Sequence, residues 1–265
     1  MAVLLAAAPM GSIGTKTWAQ ENGTLITESE MEEILAGDTG TSATVRTRQS
    51  VHDPSIVTDD GTYYVFGSHM GTAKTTDLSN WELLYSENNA DCGLFGNAAG
   101  ETVSYEEAFK ENAYQGTVSV CRADGTELEL DFGTYDAAAW IEDNTVSGNM
   151  WAPDVIYNKA QGLYYMYFCT SSTWNASNLC YATSEKPEGP YTWKGALIYS
   201  GFTSESIGAT DVLDYVTEDY ALSNYVTLGD EYDYEDYPNA IDPTVFYDED
   251  GKMWMVYGSW SGGIF

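Results

Sequence analysis

"DPSIVTDDGTYYVFGS" (residues 53–68) is the segment from which the architecture of this chain follows. The triplet Asp59-Asp60-Gly61 is a turn signal, and it separates an apolar run from "TYYVF", whose Tyr, Val and Phe residues favour strands. The segment therefore predicts a β-hairpin that begins directly after Asp53. An aspartate at this position is either a solvated turn residue or part of the rim of a pocket.

The same unit occurs twice more in the chain. "APDVIYNKAQGLYYMYFCTS" begins at residue 152 and "DPTVFYDEDGKMWMVYGSWS" at residue 242. Each unit has a proline, an apolar strand, a polar turn ending in glycine and a second strand rich in aromatic residues. The proline-to-glycine distances are 7, 9 and 8 residues, so only the turn length varies. We call these units copies one, two and three.

Copies one and two continue into a further strand, a turn and an outer strand, in "AKTTDLSNWELL" from 73 and "CYATSEKPEGPYTWKGALI" from 180. A four-stranded antiparallel sheet that recurs along a chain is typical of a β-propeller and fits a β-sandwich poorly. The sequence therefore predicts an all-β fold, a β-propeller. Two insertions, about 88–149 and 203–238, lengthen the spacing between copies. We expect both to form loops over one mouth of the channel.

The sequence also predicts how the chain is divided. Residues 1–20 contain a short apolar run followed by small residues, which favours a signal-peptide remnant over a disordered or core-packed terminus. Residues 21–49 are a lead-in, and residues 50–265 form an incomplete β-propeller domain. Copy three stops within its blade, and a propeller must close to remove its sheet edges. We therefore expect the chain to cover roughly the first two and a half to three blades of a longer propeller.

Composition narrows the choice of partners. The formal net charge is −31, with only 10 Lys and Arg residues, and this charge repels phosphate backbones and anionic membrane surfaces. We expect neither nucleic acid nor a membrane as partner. Cys92, Cys121, Cys169 and Cys180 lack the C-x-x-C spacing of zinc and redox sites. Cys169 and Cys180 either form a disulfide between paired strands or remain buried free thiols.

Three aspartates are candidates for chemistry. Asp53 and Asp242 have the same register in copies one and three, each directly before a proline, and Asp154 follows the proline of copy two. The innermost strands of propeller blades line the channel, so these carboxylates are expected to converge at one mouth. Neighbouring carboxylates raise each other's pKa values, and a pair with split pKa values serves glycoside hydrolysis. The alternative is that each aspartate caps a turn.

Four motifs resemble those of glycoside hydrolase family 43, the five-bladed β-propellers that include endo-1,5-α-L-arabinanases. They are "VHDPSI" (51–56), "MWAPDV" (150–155), "AIDPTVF" (240–246) and "YGSWSGGIF" (257–265). The combination of Asp154 with the last motif is similar to the arabinanase branch, whereas xylosidases of the family more often carry His at that position.

This resemblance implies roles for individual residues. Asp53 would be the general base, Asp242 the second acid that orients the catalytic acid and raises its pKa, and Asp154 a ligand of a sugar hydroxyl. The implied mechanism is inversion, with the base and acid carboxyls roughly 6.5–9.5 Å apart. The general acid of the family is a Glu downstream of the Asp242 motif, which no residue here matches. We interpret Glu188, in "EGPY", as a turn residue.

Other residues are weaker candidates for the site. His52 and His69 lie near the base in the sequence, and His69 is a candidate for the pocket rim. Trp151 and Trp260 either stack on sugar rings or pack between blades. The resemblance implies Ca²⁺ in the channel of the complete domain, but it assigns no metal ligand in this chain.

Three functions remain open. The first is secreted hydrolysis of α-1,5-linked arabinan, and the second is β-xylosidase or α-L-arabinofuranosidase activity on the same fold. The third is a non-catalytic carbohydrate-binding propeller, which the missing Glu favours.

Overall fold

The computed structural model describes residues 17–19, 25–27, 48–87, 93–97, 99–108, 117–121, 126–131, 150–172, 176–259 and 263–265. The chain forms two compact units, Met1–Arg46 and Thr47–Phe265. In the first unit, β1 (Thr17–Ala19) pairs antiparallel with β2 (Leu25–Thr27). Most of the predicted signal remnant and lead-in lies outside the described residues, so both stay predictions.

Copy one is a four-stranded antiparallel sheet with the strands in chain order. Its first two strands are joined by Asp60 and Gly61, which have φ values of 42° and 77°. Two successive residues in the left-handed region make the tight hairpin turn that Asp-Gly favours. The predicted hairpin, third strand and outer strand are therefore confirmed. The strands are β3 (Ser55–Asp59), β4 (Thr62–Phe66), β5 (Thr72–Thr75) and β6 (Glu82–Tyr85).

Copy two forms a longer antiparallel sheet of the same order, to whose outer strand a short strand from the first insertion adds in parallel. Copy three is an antiparallel hairpin, and a separate hairpin lies in the first insertion. The strands are β7 (Phe95–Gly96), β8 (Thr117–Cys121), β9 (Glu127–Asp131), β10 (Met150–Asn158), β11 (Leu163–Ser172), β12 (Ala176–Ser184), β13 (Tyr191–Ser200), β14 (Thr244–Tyr247) and β15 (Met253–Val256).

The three copies share the geometry of their first turn. Gly61, Gly162 and Gly251 have φ values of 77°, 71° and 78°, a backbone conformation that glycine adopts without steric cost. The turns differ in length and still end in the same left-handed glycine. The regular proline-to-glycine spacing of the sequence therefore reflects a common hairpin.

Two apolar clusters pack the sheets together. The larger one lies between the sheets of copies one and two and includes Phe66, Phe168 and Trp193, each almost fully buried. The smaller one joins the sheet of copy two to the segment before β14 through Cys169, Leu179, Ala240 and Ile241. The described part of the second unit is thus mostly β, with the sheets packed side by side in chain order.

The second insertion was expected to be a loop, and this expectation is wrong. It contains a 3₁₀ turn, Ile207–Ala209, and two helices, Val212–Tyr215 and Glu218–Tyr225. Aromatic rings build a core of its own, with the centroids of Phe202 and Tyr232 5.1 Å apart. The acidic residues lie mostly on the surface, while Tyr225, Tyr232, Tyr234 and Tyr237 pack inside. In the first insertion, a helix, Tyr105–Ala108, accompanies β7, β8 and β9. No helix in the described part of the chain is long and apolar enough to span a membrane.

Cys169 and Cys180 are buried free thiols, so the disulfide alternative is wrong. In the ladder of β11 and β12, Cys169 lies opposite Leu179 and Cys180 lies opposite Phe168. The two cysteines occupy neighbouring rungs, so their side chains point to opposite faces of the sheet. Burial raises the pKa of the Cys169 thiol to about 12. Cys92 and the side chain of Cys121 lie outside the described residues.

Candidate active site

The backbone is distorted in the same way where each innermost strand begins. Asp53, Ala152 and Asp242 have φ values of 49°, 42° and 53°, and each directly precedes a proline. A non-glycine residue with positive φ is uncommon, and such strain persists only where the surrounding structure holds it. The three copies therefore present equivalent positions, of which two carry a carboxylate.

Ser68 holds the carboxylate of Asp53. Its hydroxyl donates to Oδ2 of Asp53 at 2.6 Å and accepts from the backbone N–H of Ala152 at 2.9 Å. Nδ1 of His52 lies 2.9 Å from the same Oδ2. The Asp53 side chain is 45% exposed. Two groups thus hold one oxygen of this carboxylate, and the side chain is accessible to solvent.

Asp242 has a matching partner. The hydroxyl of Ser259 donates to its Oδ2 in a short hydrogen bond. Ser68 and Ser259 both belong to a Gly-Ser pair that follows the second strand of their copy. The repeat thus places a serine beside the aspartate in copies one and three. Sequence analysis missed both serines, although the repeated Gly-Ser pair was a signal that could have revealed them.

Gly67 allows the segment of Ser68 to approach Asp53. A Cβ atom at this position would lie 2.3 Å from Cγ1 of Val51 and 2.4 Å from the carbonyl oxygen of His52. Only a residue without a side chain fits against the chain entering the site. The N–H of Ser68 donates to the same His52 carbonyl at 2.9 Å, which locks the approach.

Asp154 contacts the innermost strands of both other copies. Its Oδ1 accepts from the hydroxyl of Ser55 at 2.6 Å, and its Oδ2 accepts from the N–H of Val245 at 2.7 Å. The hydroxyl of Ser55 in turn accepts from the N–H of Val155 at 3.2 Å. Both carboxylate oxygens of Asp154 are therefore engaged within the protein. Its role as a sugar ligand stays a prediction.

Copy two contributes a buried thiol beneath Asp242. The Sγ of Cys169 donates to the carbonyl of Trp151 at 3.4 Å and interacts with the backbone of Asp242. The Trp151 side chain is half-buried and packs against the cluster of Cys169 and Ile241. Trp151 thus lies at the junction of copies two and three. Its stacking on a sugar stays a prediction.

The remaining candidates are less informative. His69 is half-buried in the 3₁₀ turn Ser68–Met70, directly after the serine that holds Asp53. Trp260 lies outside the described residues. Glu188 lies in the turn between β12 and β13, where its carbonyl accepts from the hydroxyl of Tyr85 at 2.8 Å, and its assignment as a turn residue is confirmed. Among the described residues, no group of three or more His, Cys, Asp and Glu side chains could hold a metal ion, so calcium stays a prediction.

Two curated proteins are similar to most of this chain. Extracellular endo-α-(1→5)-L-arabinanase 2 of Bacillus subtilis (strain 168) is 35% identical over 218 residues, which are 82% of this chain and 34% of that protein. An extracellular endo-α-(1→5)-L-arabinanase of Thermotoga petrophila is 33% identical over 216 residues, 81% of this chain and 35% of that protein. No protein-family profile matches the chain.

Two solved structures of related proteins are also similar to this chain. The endo-1,5-α-L-arabinanase of Thermotoga petrophila superposes with a TM-score of 0.55 at 32% identity, over 83% of this chain and 38% of that one. A family 43 glycoside hydrolase of Bacillus licheniformis has a TM-score of 0.54 at 34% identity, with 83% and 37% covered. The chain is homologous to arabinanases of glycoside hydrolase family 43. This arabinanase homologue spans about a third of the length of the curated relatives it matches.

Proposed function

We propose that this chain belongs to a five-bladed propeller hydrolase that cleaves α-1,5-linked L-arabinan with inversion. One observation carries the proposal: Asp53 and Asp242 occupy equivalent strained positions in two copies, and each is held by a serine of its own copy. Two relatives that are named extracellular endo-α-(1→5)-L-arabinanases supply the substrate class and support an extracellular location.

Asp53 is proposed as the general base. Ser68 and His52 both approach its Oδ2, and the Asp53 side chain is 45% exposed. Oδ1 is therefore the atom that would draw a proton from the attacking water, while Oδ2 keeps the carboxylate in one orientation. The hydroxyl of Ser68 accepts from Ala152, so its single proton is directed at Asp53.

Asp242 is proposed as the second acid, which orients the catalytic acid and raises its pKa by its negative charge. The bond from Ser259 fixes one of its oxygens. The catalytic acid itself is assigned to no residue of this chain. Trp151, Trp260 and His69 are proposed as sugar contacts, and calcium is proposed for the complete domain without ligands here.

The arrangement of the sheets supports the propeller. Ser55 of β3 and Val245 of β14 both donate hydrogen bonds to Asp154 of β10, so the first strands of the three copies lie close to one another. Neighbouring innermost strands are what a propeller places around its channel.

A reducing-sugar assay on debranched linear arabinan tests the function, with the protein expressed to its natural stop codon. Asp53→Asn should lower kcat by roughly 10²–10⁴-fold, because the base can no longer accept a proton. Asp60→Asn is the matched control, since Asp60 is exposed in the turn at the other end of β3 and has a left-handed φ that Asn tolerates. Its activity should stay within twofold of the wild type.

The assay also separates the alternatives. Full activity of Asp53→Asn would reject Asp53 as the base. An inactive wild-type protein that arabinan still retards in an affinity gel would indicate a carbohydrate-binding propeller. Cleavage of aryl xylosides or arabinofuranosides without cleavage of linear arabinan would favour the β-xylosidase or α-L-arabinofuranosidase alternative.

A further inference from the structure

We infer that Asp154 is a positioning residue that fixes the separation of Asp53 and Asp242. This inference rests on the function proposed above and assigns Asp154 a task inside the protein. Its two carboxylate oxygens accept from Ser55 at 2.6 Å and from the N–H of Val245 at 2.7 Å. Both hydrogen bonds are short and involve a carboxylate, the class of hydrogen bond that is stronger than a neutral one.

The two hydrogen bonds come from the strands that directly follow the proposed catalytic aspartates. Ser55 follows Asp53 by two residues, and Val245 follows Asp242 by three. One side chain of copy two is thus bonded within three residues of each aspartate. A shift of either strand along the channel would have to break one of these hydrogen bonds. Asp154 therefore links copies one and three, and we call its hydrogen bonds to Ser55 and Val245 the tie.

Copy two also supports the site of copy one at a second residue, Ala152. Its residue equivalent to the two aspartates is Ala152, which has the same left-handed backbone and no carboxylate. The N–H of Ala152 donates to Ser68, and Ser68 holds Asp53. The strand β10 thus supplies no acid at this position and supports the acid of copy one instead.

Separation matters for the proposed chemistry. An inverting hydrolase needs its base and its catalytic acid at a spacing that admits one water. Because Asp242 is proposed to orient that acid, a shift of Asp242 relative to Asp53 would misplace the acid relative to the base. A misplacement of about 1 Å can lower a rate by about 10²-fold. A broken tie should therefore lower kcat and change KM little, whereas a lost sugar ligand raises KM.

The test uses Ser55→Ala, Asp154→Asn and the double variant of the protein expressed to its stop codon. Ser55→Ala removes the tie and leaves every proposed sugar contact in place. We expect it to lower kcat on linear arabinan about tenfold with KM within twofold, and to change the shape of the pH profile of kcat. The double variant should be no slower than Asp154→Asn, because both changes break one connection. Thr58→Ala, an exposed hydroxyl on the same strand, is the control and should match the wild type.

Two results would overturn the inference. The first is a silent Ser55→Ala together with an Asp154→Asn variant that raises KM at unchanged kcat, which would make Asp154 a sugar ligand. The second concerns the free energy of unfolding in urea. If the losses caused by Ser55→Ala and Asp154→Asn simply add in the double variant, the two residues do not interact. The urea measurement needs no activity, so it tests the tie even if the wild type fails on arabinan and the proposed function is rejected.

Discussion

At the scale of single residues, Ser68 combines nearly complete burial with two hydrogen bonds. It is 1% exposed, donates to Asp53 and accepts from the N–H of Ala152. A buried N–H that loses its partner keeps the full penalty of its desolvation. Ser68 therefore contributes both to stability and to the orientation of the proposed base.

Ser68→Ala tests both contributions. We expect the free energy of unfolding in urea to fall by about 1–3 kcal/mol, because Asp53 and the N–H of Ala152 both lose the buried hydroxyl of Ser68 as partner. Ser223→Ala is the control, since Ser223 is exposed on the helix Glu218–Tyr225, and it should change the free energy by less than about 0.5 kcal/mol. An unchanged stability of Ser68→Ala would show that water replaces the hydroxyl.

The residues of the site were only partly predictable. Asp53 and Asp242 could be found because each is marked by a proline and by the repeat around it. Ser68 and Ser259 follow their aspartates by 15 and 17 residues, and their contact depends on how two strands and a turn fold back. The engagement of Asp154 by strands from two other copies has no local signal at all.

At the scale of elements, the second insertion shows how composition can mislead. Residues 203–238 contain ten Asp or Glu and no Lys or Arg, which is typical of a solvated loop. The expectation of a loop was wrong because four tyrosines of the insertion share one interior with Phe202, for example Tyr225 and Tyr237 with ring centroids 4.6 Å apart. The residues that flank the insertion meet close to the candidate site. The hydroxyl of Ser200 donates to the side-chain oxygen of Asn239 at 2.8 Å, and Asn239 precedes Asp242 by three residues.

Asp211 makes the insertion sensitive to pH. Burial raises the pKa of this carboxyl to about 7, and the charge of Asp214 adds to the rise. An aspartate of the unfolded chain titrates near 4, as roughly expected of model peptides. Because the folded pKa is the higher one, the stabilising contribution is complete below about pH 4 and is lost as the pH rises to about 7.

Asp211→Asn should therefore reduce the loss of stability between pH 5 and pH 8 and make the protein more stable than the wild type at pH 8. Urea unfolding followed by tyrosine fluorescence at both pH values measures this difference. Asp236→Asn, an exposed carboxylate of the same insertion, should leave the pH dependence as it is. Equal pH dependence of wild type and Asp211→Asn would contradict the assignment.

At the scale of the whole molecule, the negative net charge destabilises the compact folded state. A net charge of −31 on 265 residues produces self-repulsion that salt screens over a Debye length of about 10 Å at 0.1 M. The sheets are held against this repulsion by two apolar clusters between neighbouring copies. Stability should accordingly depend on ionic strength.

We expect the Tm to rise by several degrees between about 10 mM and 300 mM NaCl, because screening relieves repulsion in the folded state more than in the expanded chain. Differential scanning fluorimetry measures the shift. Equal shifts in NaCl and KCl would identify screening and exclude binding of one particular cation. A Tm that falls with salt would mean that attractive ion pairs outweigh the repulsion.

Neighbouring residues along the chain are enough to predict the repeated hairpins, the glycines that end their turns, the outer strands and the two Asp-Pro positions. Which side chains meet across copies follows only from the packing of the sheets. Ser68 and Ala152 are 84 residues apart, and Asp154 is 99 residues from Ser55 and 91 from Val245. Such contacts depend on the register and packing of whole sheets, and no local pattern encodes either.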